Sequence, residues 1–363
     1  MSDQLPPSLA AAGSVPPDPD HPTPLARTAA TSHGGVATPS DQARSRLGGG
    51  AGRNVGLVIA LVVLCVVGVA TAGERFASLD NAMTILRLAA VYGVVAIGMT
   101  FVITGGGIDL SVGSVIGLSS VWASTLATQT MAEDTHWIVM VFTALAVGTV
   151  CGVVNGVLIA YGKVVAFIAT LAMMVGARGL AEIIANRRTQ LVEVDAFLDA
   201  FRTEILGISV SVWIFALVAV AGWVLLNRTT FGRRTVAVGG NPEAARLAGI
   251  RVKRHTMYLY ALSGLAAGIG GLMMLVRTTS GASTHGQLYE LDAIAAVVVG
   301  GTLLAGGRGT IVGTVFGVLI FSTLTNVFVQ NDLSTSAQSV AKGLIIVVAV
   351  LLQQQFAARS RRT

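Results

Sequence analysis

The sequence predicts an all-α fold: a polytopic membrane helix bundle of about ten transmembrane helices, with glycine-broken segments and both termini cytoplasmic. Three observations carry this. The chain of 363 residues is 53% hydrophobic and only 12% charged, too little charge to cover a soluble domain of that length. Its apolar residues come in long blocks, as spanning helices require and a soluble core does not. The period-2 alternation of a membrane barrel is absent, which leaves helices as the structure that satisfies every backbone group within lipid.

Residues 1–53 are rich in Pro, Ser, Thr, Gly and Asp and almost free of large apolar side chains. Such a segment cannot bury enough surface to fold and reads as a disordered cytoplasmic tail. Residues 54–355 form the membrane domain, and 356–363 a basic cytoplasmic C-terminus. Ten apolar segments fill the membrane domain, at roughly 55–73, 86–104, 110–129, 137–161, 163–185, 210–227, 256–276, 291–305, 309–330 and 337–353. Those at 210–227, 291–305 and 337–353 are shorter than the roughly 20 residues a span needs, as half-helices, interrupted spans or partners of tilted neighbours would be.

Charge orients the bundle. With the tail inside, ten spans place sixteen Lys and Arg on the inner side and six on the outer, counting all but Arg178 and Lys342, which fall within spans. That asymmetry supports both termini inside. The formal net charge of +6 is therefore an orientation signal and not a nucleic-acid surface. Ala70-Thr71-Ala72 resembles a signal-peptidase site, and cleavage there would leave nine spans in the same orientation.

Cys65 and Cys151 lie inside apolar blocks and read as small hydrophobes. No zinc spacing, HExxH pattern or phosphate loop is present, so neither a metal site nor an ATP site is expected in this chain. Transport powered by ATP would need another subunit to bind it. An internal echo runs along the chain: Gly106, Gly107, Val112, Gly113, Val115 and Gly117 recur as Gly306, Gly307, Val312, Gly313, Val315 and Gly317, always 200 residues later. Coincidence in a Gly- and Val-rich chain explains this as well as a duplicated broken-helix element does.

The connection at 228–255 carries a fully punctuated short helix. Asn241 is a good N-cap. Pro242 suits the first helical position, Glu243 sits at the positive helix end, and Gly249 supplies the left-handed residue past the C-terminus. A helix over 242–248 is predicted, with Leu247, Ala244 and Ala248 on a small apolar face. Two roles fit it: a rigid knob that a cytosolic partner moves, or an interfacial helix lying on the headgroups.

Glu243-Ala244-Ala245 with Gly249 resembles the EAA…G coupling loop of ABC-importer permeases, without the downstream part of that pattern. More specifically, the chain is similar to ABC sugar permeases of the ribose/galactose/xylose type. The residues that carry this are Ala96-Ile-Gly-Met-Thr100, Gly107-Ile-Asp-Leu-Ser-Val-Gly-Ser114, Ala166-Phe-Ile-Ala-Thr-Leu171, Gly239-Gly-Asn241 with Arg246-Leu247 and Gly249-Ile250, and Tyr289 to Thr302 with Ala305-Gly-Gly307 and Gly309. The match runs in order from about 79 to 352. The tail departs from the pattern, and the Gly105-Gly106-Gly107 run, where one helix break is expected, loosens that turn. The resemblance implies a multi-pass permease of a prokaryotic cytoplasmic membrane, working as a homodimer or pseudo-dimer around one pathway. A cytosolic ABC ATPase that holds ATP and Mg would dock on Gly240, Asn241, Pro242, Glu243, Ala244, Ala245, Arg246, Leu247 and Gly249. An extracytoplasmic sugar-binding protein would deliver the substrate.

A sugar pathway wants weak hydroxyl and amide partners and no strong charge. Thr100, Thr104, Asn155, Thr170 and Asn326 are the candidates, although such residues also bond back to their own helix or join helices. Asp109 is a further candidate; as an N-cap or first-turn acid of the third helix it would be structural. Arg178 and Glu182, four apart, are expected to pair. Lys342 is expected to snorkel outward. Glu290 and Asp292 fall in an outside loop, available to a binding protein or to water. The alternative reading is an ion- or proton-coupled secondary carrier for a small polar solute, which would need titratable groups at mid-membrane.

Overall fold

The structure, a computed structural model, describes residues 50–345 and Val347. Most of the expected tail, the end of the last expected span and the basic C-terminus lie outside the described residues. The described chain is helical nearly throughout. Its helices are α1 (Gly50–Ala72), α2 (Leu79–Thr104), α3 (Val112–Ala123), α4 (Leu126–Asp134), α5 (Ile138–Ala160), α6 (Ala166–Ile184), α7 (Asp195–Arg202), α8 (Val210–Arg228), α9 (Thr230–Gly240), α10 (Pro242–Leu247), α11 (Val252–Thr278), α12 (Tyr289–Val299) and α13 (Ile311–Gln330). Helical residues resume over 335–345. Seven of these, α1, α2, α5, α6, α8, α11 and α13, are long and apolar enough to cross a membrane.

One expected span takes a different form, and another is the short segment its length suggested. The apolar run over 110–129 is broken at Ser124-Thr125 into α3 and α4. The Ser124 hydroxyl donates to the Ser120 carbonyl, and Thr125 caps α4 by accepting from Thr128 N–H, so two hydroxyl side chains supply the partners that end one helix and start the next. The run over 291–305 becomes α12, which stops at Val299 and gives way to a non-helical stretch as far as Thr310. Glu290 and Asp292 are therefore not in an outside loop. They stand in the first turn of α12, where negative charge suits the helix end.

Helix α2 and helix α11 form the buried centre, while α1 and α8 are peripheral. The tightest pairing is α5 against α11. Gly148 and Gly152 on α5 face Gly264 and Gly268 on α11, Gly156 packs on the Met257 backbone, and a methyl group on Gly264 would lie 2.2 Å from the Gly148 carbonyl oxygen. Backbones approach this closely only where both helices present small residues at four-residue spacing. At one end of the bundle, a two-stranded clip joins β1 (Gln190–Leu191) to β4 (Ser280–Gly281) in antiparallel register, Gln190 opposite Gly281. A second small hairpin joins β2 (Glu204–Ile205) to β3 (Ile208–Ser209). The other end holds the C-terminus of α2, helices α9 and α10, and the connection before α13.

Candidate functional site

The 228–255 connection begins where α8 ends. Thr229 caps α9 by accepting from Gly232 N–H at 3.4 Å. Asn241 then serves both helices: its N–H donates to the Ala237 carbonyl, closing α9, and its Oδ1 accepts from Ala244 N–H at 3.0 Å, opening α10. Helix α10 covers Pro242–Leu247 with Pro242 in its first turn, one residue shorter than the sequence predicts. Gly249 has φ +82°. Ile250 N–H reaches the Ala245 carbonyl and Gly249 N–H the Arg246 carbonyl, the paired bonds that seal a helix end through a left-handed residue. What sequence alone does not reveal is α9, an eleven-residue helix that makes the connection a helical hairpin instead of a loop with one knob.

Of the residues in α10 only Ala245 is buried. Ala244, Leu247 and Ala248 are exposed on one face, with Leu247 81% exposed. Glu243 and Arg246 pair at 3.0 Å in the open, a contact worth well under about 1 kcal/mol. Helix α9 is anchored inward: Thr235 Oγ1 lies 2.9 Å from His255 Nε2, and the Phe231 ring stacks at 4.6 Å from His255 and 6.2 Å from Phe101. These contacts bind it to α11 and α2.

The last turn of α9 sits in a glycine junction. A methyl group on Gly239 would lie 1.9 Å from the Thr104 carbonyl oxygen and 2.7 Å from the Gly307 nitrogen, both backbone atoms. Gly307 N–H donates to that same Thr104 carbonyl at 2.9 Å. The two copies of the echo meet here. Gly106 and Gly306 share a left-handed conformation, φ +81° and +83°, which glycine adopts without strain, and each turn leads into the next helix, α3 or α13. The triple glycine does not loosen its turn, since Gly105, Gly106 and Gly107 N–H groups donate to Phe101, Ile103 and Val102.

The six candidate pathway residues are all buried. Thr100 and Thr104 belong to the junction. Thr100 Oγ1 lies 2.8 Å from Thr314 Oγ1, Thr104 Oγ1 donates to the Thr100 carbonyl, and Gly309 leaves the room for the Thr104 side chain. Asp109 and Asn155 share a second network. Asp109 Oδ1 accepts from the Ser111 N–H at 3.0 Å and hydroxyl at 2.6 Å, Asp109 Oδ2 accepts from Ser263 Oγ at 2.8 Å, and Asn155 Nδ2 donates to Ser111 Oγ. Asp109 is thus not a cap: Ser111 is the residue before α3, and Asp109 organises the turn ahead of it. Asn155 Oδ1 has no hydrogen-bond partner among the described residues. Thr170, which donates to the Ala166 carbonyl, and Asn326, which donates to Asn81 Oδ1, lie apart from both networks.

Two expected ionic arrangements are replaced. Arg178 does not pair with Glu182; its guanidinium donates to the carbonyls of Ser283 and His285 and pins the segment between β4 and α12. That segment also seats His285, whose Nδ1 lies 3.0 Å from Ser120 Oγ. Lys342 does not snorkel. Its Nζ meets Asp292 Oδ2 at 3.2 Å, with both side chains largely buried.

Comparison with known proteins covers nearly all of this architecture. A family model described as branched-chain amino acid transport system / permease component matches residues 81–350. The ribose import permease protein of Bacillus subtilis is 42% identical over 308 residues, covering 84% of this chain and 94% of that protein. The L-arabinose transport system permease protein of Escherichia coli is 38% identical, over 84% of this chain and 92% of its own. The galactose/methyl galactoside import permease protein of Salmonella typhimurium is 35% identical, over 84% and 95%. No solved structure matches.

Proposed function

We propose, from the premise that this chain belongs to the branched-chain amino acid transport system / permease component family, that it is the membrane-spanning subunit of an ATP-binding-cassette importer for a monosaccharide. The family description names amino acids, but the three full-length relatives above carry the names of ribose, arabinose and galactose permeases. Identity of 35–42% across nearly their whole lengths favours a sugar of that kind over an amino acid.

The single observation that carries the mechanism is the α9–α10 hairpin: an exposed apolar face at one tip and Gly239 wedged between two backbone turns at the root. In this reading a cytosolic ATPase grips Ala244, Leu247 and Ala248. ATP and Mg reside on that ATPase. Its closure tilts the hairpin, and Gly239 passes the motion without slack to the turns that begin α3 and α13, because nothing compressible lies between backbone and backbone. A second copy of the chain completes the pathway, and an extracytoplasmic sugar-binding protein loads it. Ten spans, with α3 and α12 as the short broken elements, and both termini cytoplasmic put α9–α10 on the ATPase side, in agreement with the distribution of Lys and Arg. Residues 54–355 act as the permease domain between two cytoplasmic tails. The buried hydroxyl and amide groups of Thr100, Thr104, Asn155, Thr170 and Asn326, with Asp109, are the groups a passing sugar would meet when the helices part.

The test is a cysteine at Leu247 in the full chain, co-expressed with its gene-neighbour ATPase. Cross-linking to that ATPase and ATP-dependent sugar uptake in vesicles are expected. Labelling of the cysteine from the outer face of intact cells, or uptake that follows an ion gradient without the ATPase, would overturn the proposal in favour of a secondary carrier.

A further inference from the structure

An apolar groove of about 300 Å³ runs between the second half of α8 and the start of α13. Ala219, Val220 and Trp223 form one wall, and Ile311, Val315 and Phe316 the other. Both helices are of spanning length, and the groove is open, Val220 being 61% exposed. The walls are in register: a methyl group on Gly222 would lie 3.6 Å from Ile311 Cδ1.

Two arginines flank the groove in the chain, one following the wall residue Trp223 on α8 and one preceding the other wall at Ile311. Arg228 lies six residues beyond Gly222 on α8, with its guanidinium 5.2 Å above the Trp223 ring. Arg308 lies three residues ahead of Ile311 on the other wall. Both are exposed. Neither joins any of the ion pairs found among the described residues. No Asp or Glu occurs between residues 205 and 242 or between 293 and 331, so neither wall supplies a counter-charge.

We infer that the α8–α13 groove binds an anionic phospholipid, with an acyl chain along the groove and the phosphate between Arg228 and Arg308. An apolar slot flanked by unpaired guanidinium groups matches an amphiphile of that polarity. A second copy of this chain matches it poorly. A two-fold contact through this face would bring each arginine pair against its own equivalent, with no carboxylate to separate them. Both walls belong to helices long and apolar enough to cross a membrane, which lipid surrounds more readily than a cytosolic protein does.

Trp223 reports directly on the groove. The full chain is reconstituted in nanodiscs containing phospholipids with brominated acyl chains, which quench indole fluorescence on contact, and the Trp223 signal is taken as wild type minus Trp223→Phe. Brominated phosphatidylglycerol should quench that signal at lower mole fraction than brominated phosphatidylcholine, by about fivefold for each arginine, the ratio equivalent to the roughly 1 kcal/mol that one basic residue gains near an anionic surface. Arg228→Gln with Arg308→Gln should abolish the preference, and the two lysine substitutions should keep most of it. A helical circular-dichroism spectrum equal to wild type confirms that each variant is folded. Equal quenching by both lipids would overturn the inference, leaving only non-selective boundary lipid. So would a Trp223 that neither lipid quenches, which would mean that protein covers the groove, or a preference that survives loss of both arginines.

Discussion

Gly306 packs against Gly106 so closely that a methyl group on Gly306 would lie 2.8 Å from the Gly106 Cα. The two are 200 residues apart, occupy equivalent places in the glycine echo, and share the same left-handed backbone. The echo in the sequence is thus realised as a contact between its own two copies. Gly239 enters from a third element, so three separate stretches of chain meet through backbone alone. Side chains at such a point could absorb movement by changing rotamer; bare backbone cannot.

Gly239→Ala should therefore break the junction, because its Cβ would meet two backbone atoms, 1.9 and 2.7 Å away, that cannot move aside cheaply. A loss of about 1–3 kcal/mol is expected from such overpacking, read as a lower melting temperature, together with ATP hydrolysis no longer coupled to sugar uptake. The neighbouring Gly240→Ala is the packing control: its Cβ would meet nothing nearer than 3.9 Å, and the melting temperature should hold. Equal tolerance of both substitutions would dissolve the junction argument.

Legibility in the sequence tracks how local the cause is. The hairpin tip was readable because Asn241, Pro242 and Gly249 act on backbone groups two to four residues away. The long spans were readable because lipid demands an unbroken apolar run. The break inside the 110–129 run was not, since Ser124 and Thr125 end a helix through hydroxyl bonds that hydropathy does not register. The partners of Arg178 and Lys342 were also hidden: a charge four residues away is a visible suggestion, whereas the carbonyls of Ser283 and His285 and the carboxylate of Asp292 become neighbours only when helices pack. For Gly239, the sequence showed that glycines abound and gave no sign of which ones touch.

Leu247→Asp separates docking from folding. A side chain 81% exposed makes few contacts within the chain, so stability should change by no more than about 0.5 kcal/mol, while co-purification of the ATPase should fall at least tenfold. Asn241→Ala should do the reverse, costing about 1 kcal/mol through loss of the cap and weakening docking only in proportion to the unfolding of α10. A pull-down paired with thermal melting distinguishes them.

Asp109 should behave as a scaffold for the turn ahead of α3. Asp109→Ala leaves the donors of Ser111 and Ser263 unmet in a buried site, at about 1–3 kcal/mol for each orphaned group. Asp109→Asn keeps an oxygen for Ser111, and the Ser263 hydroxyl can turn to accept from the new amide, so its loss should stay under about 1 kcal/mol. Melting temperatures that fall equally in the two variants would show that the negative charge itself is needed.

His285 should make stability fall on mild acidification. Burial first, and then the positive charges of Arg178 and Arg277, push its pKa from 6.5 down to about 4. The unfolded chain thus binds the proton before the folded one does. Stability is full above about pH 6.5 and is lost as pH falls toward 4, by roughly 3 kcal/mol at the limit. His285→Gln, which can still bond Ser120, should melt at a more nearly constant temperature across that window. Parallel curves for the two proteins would assign the acid sensitivity to other groups.

The Asp292–Lys342 pair ties the first turn of α12 to the helical residues after α13. A single substitution, Lys342→Met, would strand a largely buried carboxylate, and removing one partner of such a pair typically costs about 3–5 kcal/mol. Two ions are also costly to keep dry, so replacing both by apolar groups of similar size should restore most of what the single change removes. Asp292→Leu combined with Lys342→Met is therefore expected to melt close to wild type, well above Lys342→Met alone. If the single and double variants melt together, the lysine has escaped to the headgroups and the pair contributes nothing. Where the ordering is as expected, a bifunctional thiol reagent long enough to replace the lysine stem should join cysteines placed at 292 and 342 in the resting protein. Its effect on uptake then reports whether α12 must part from the last helical segment for sugar to pass.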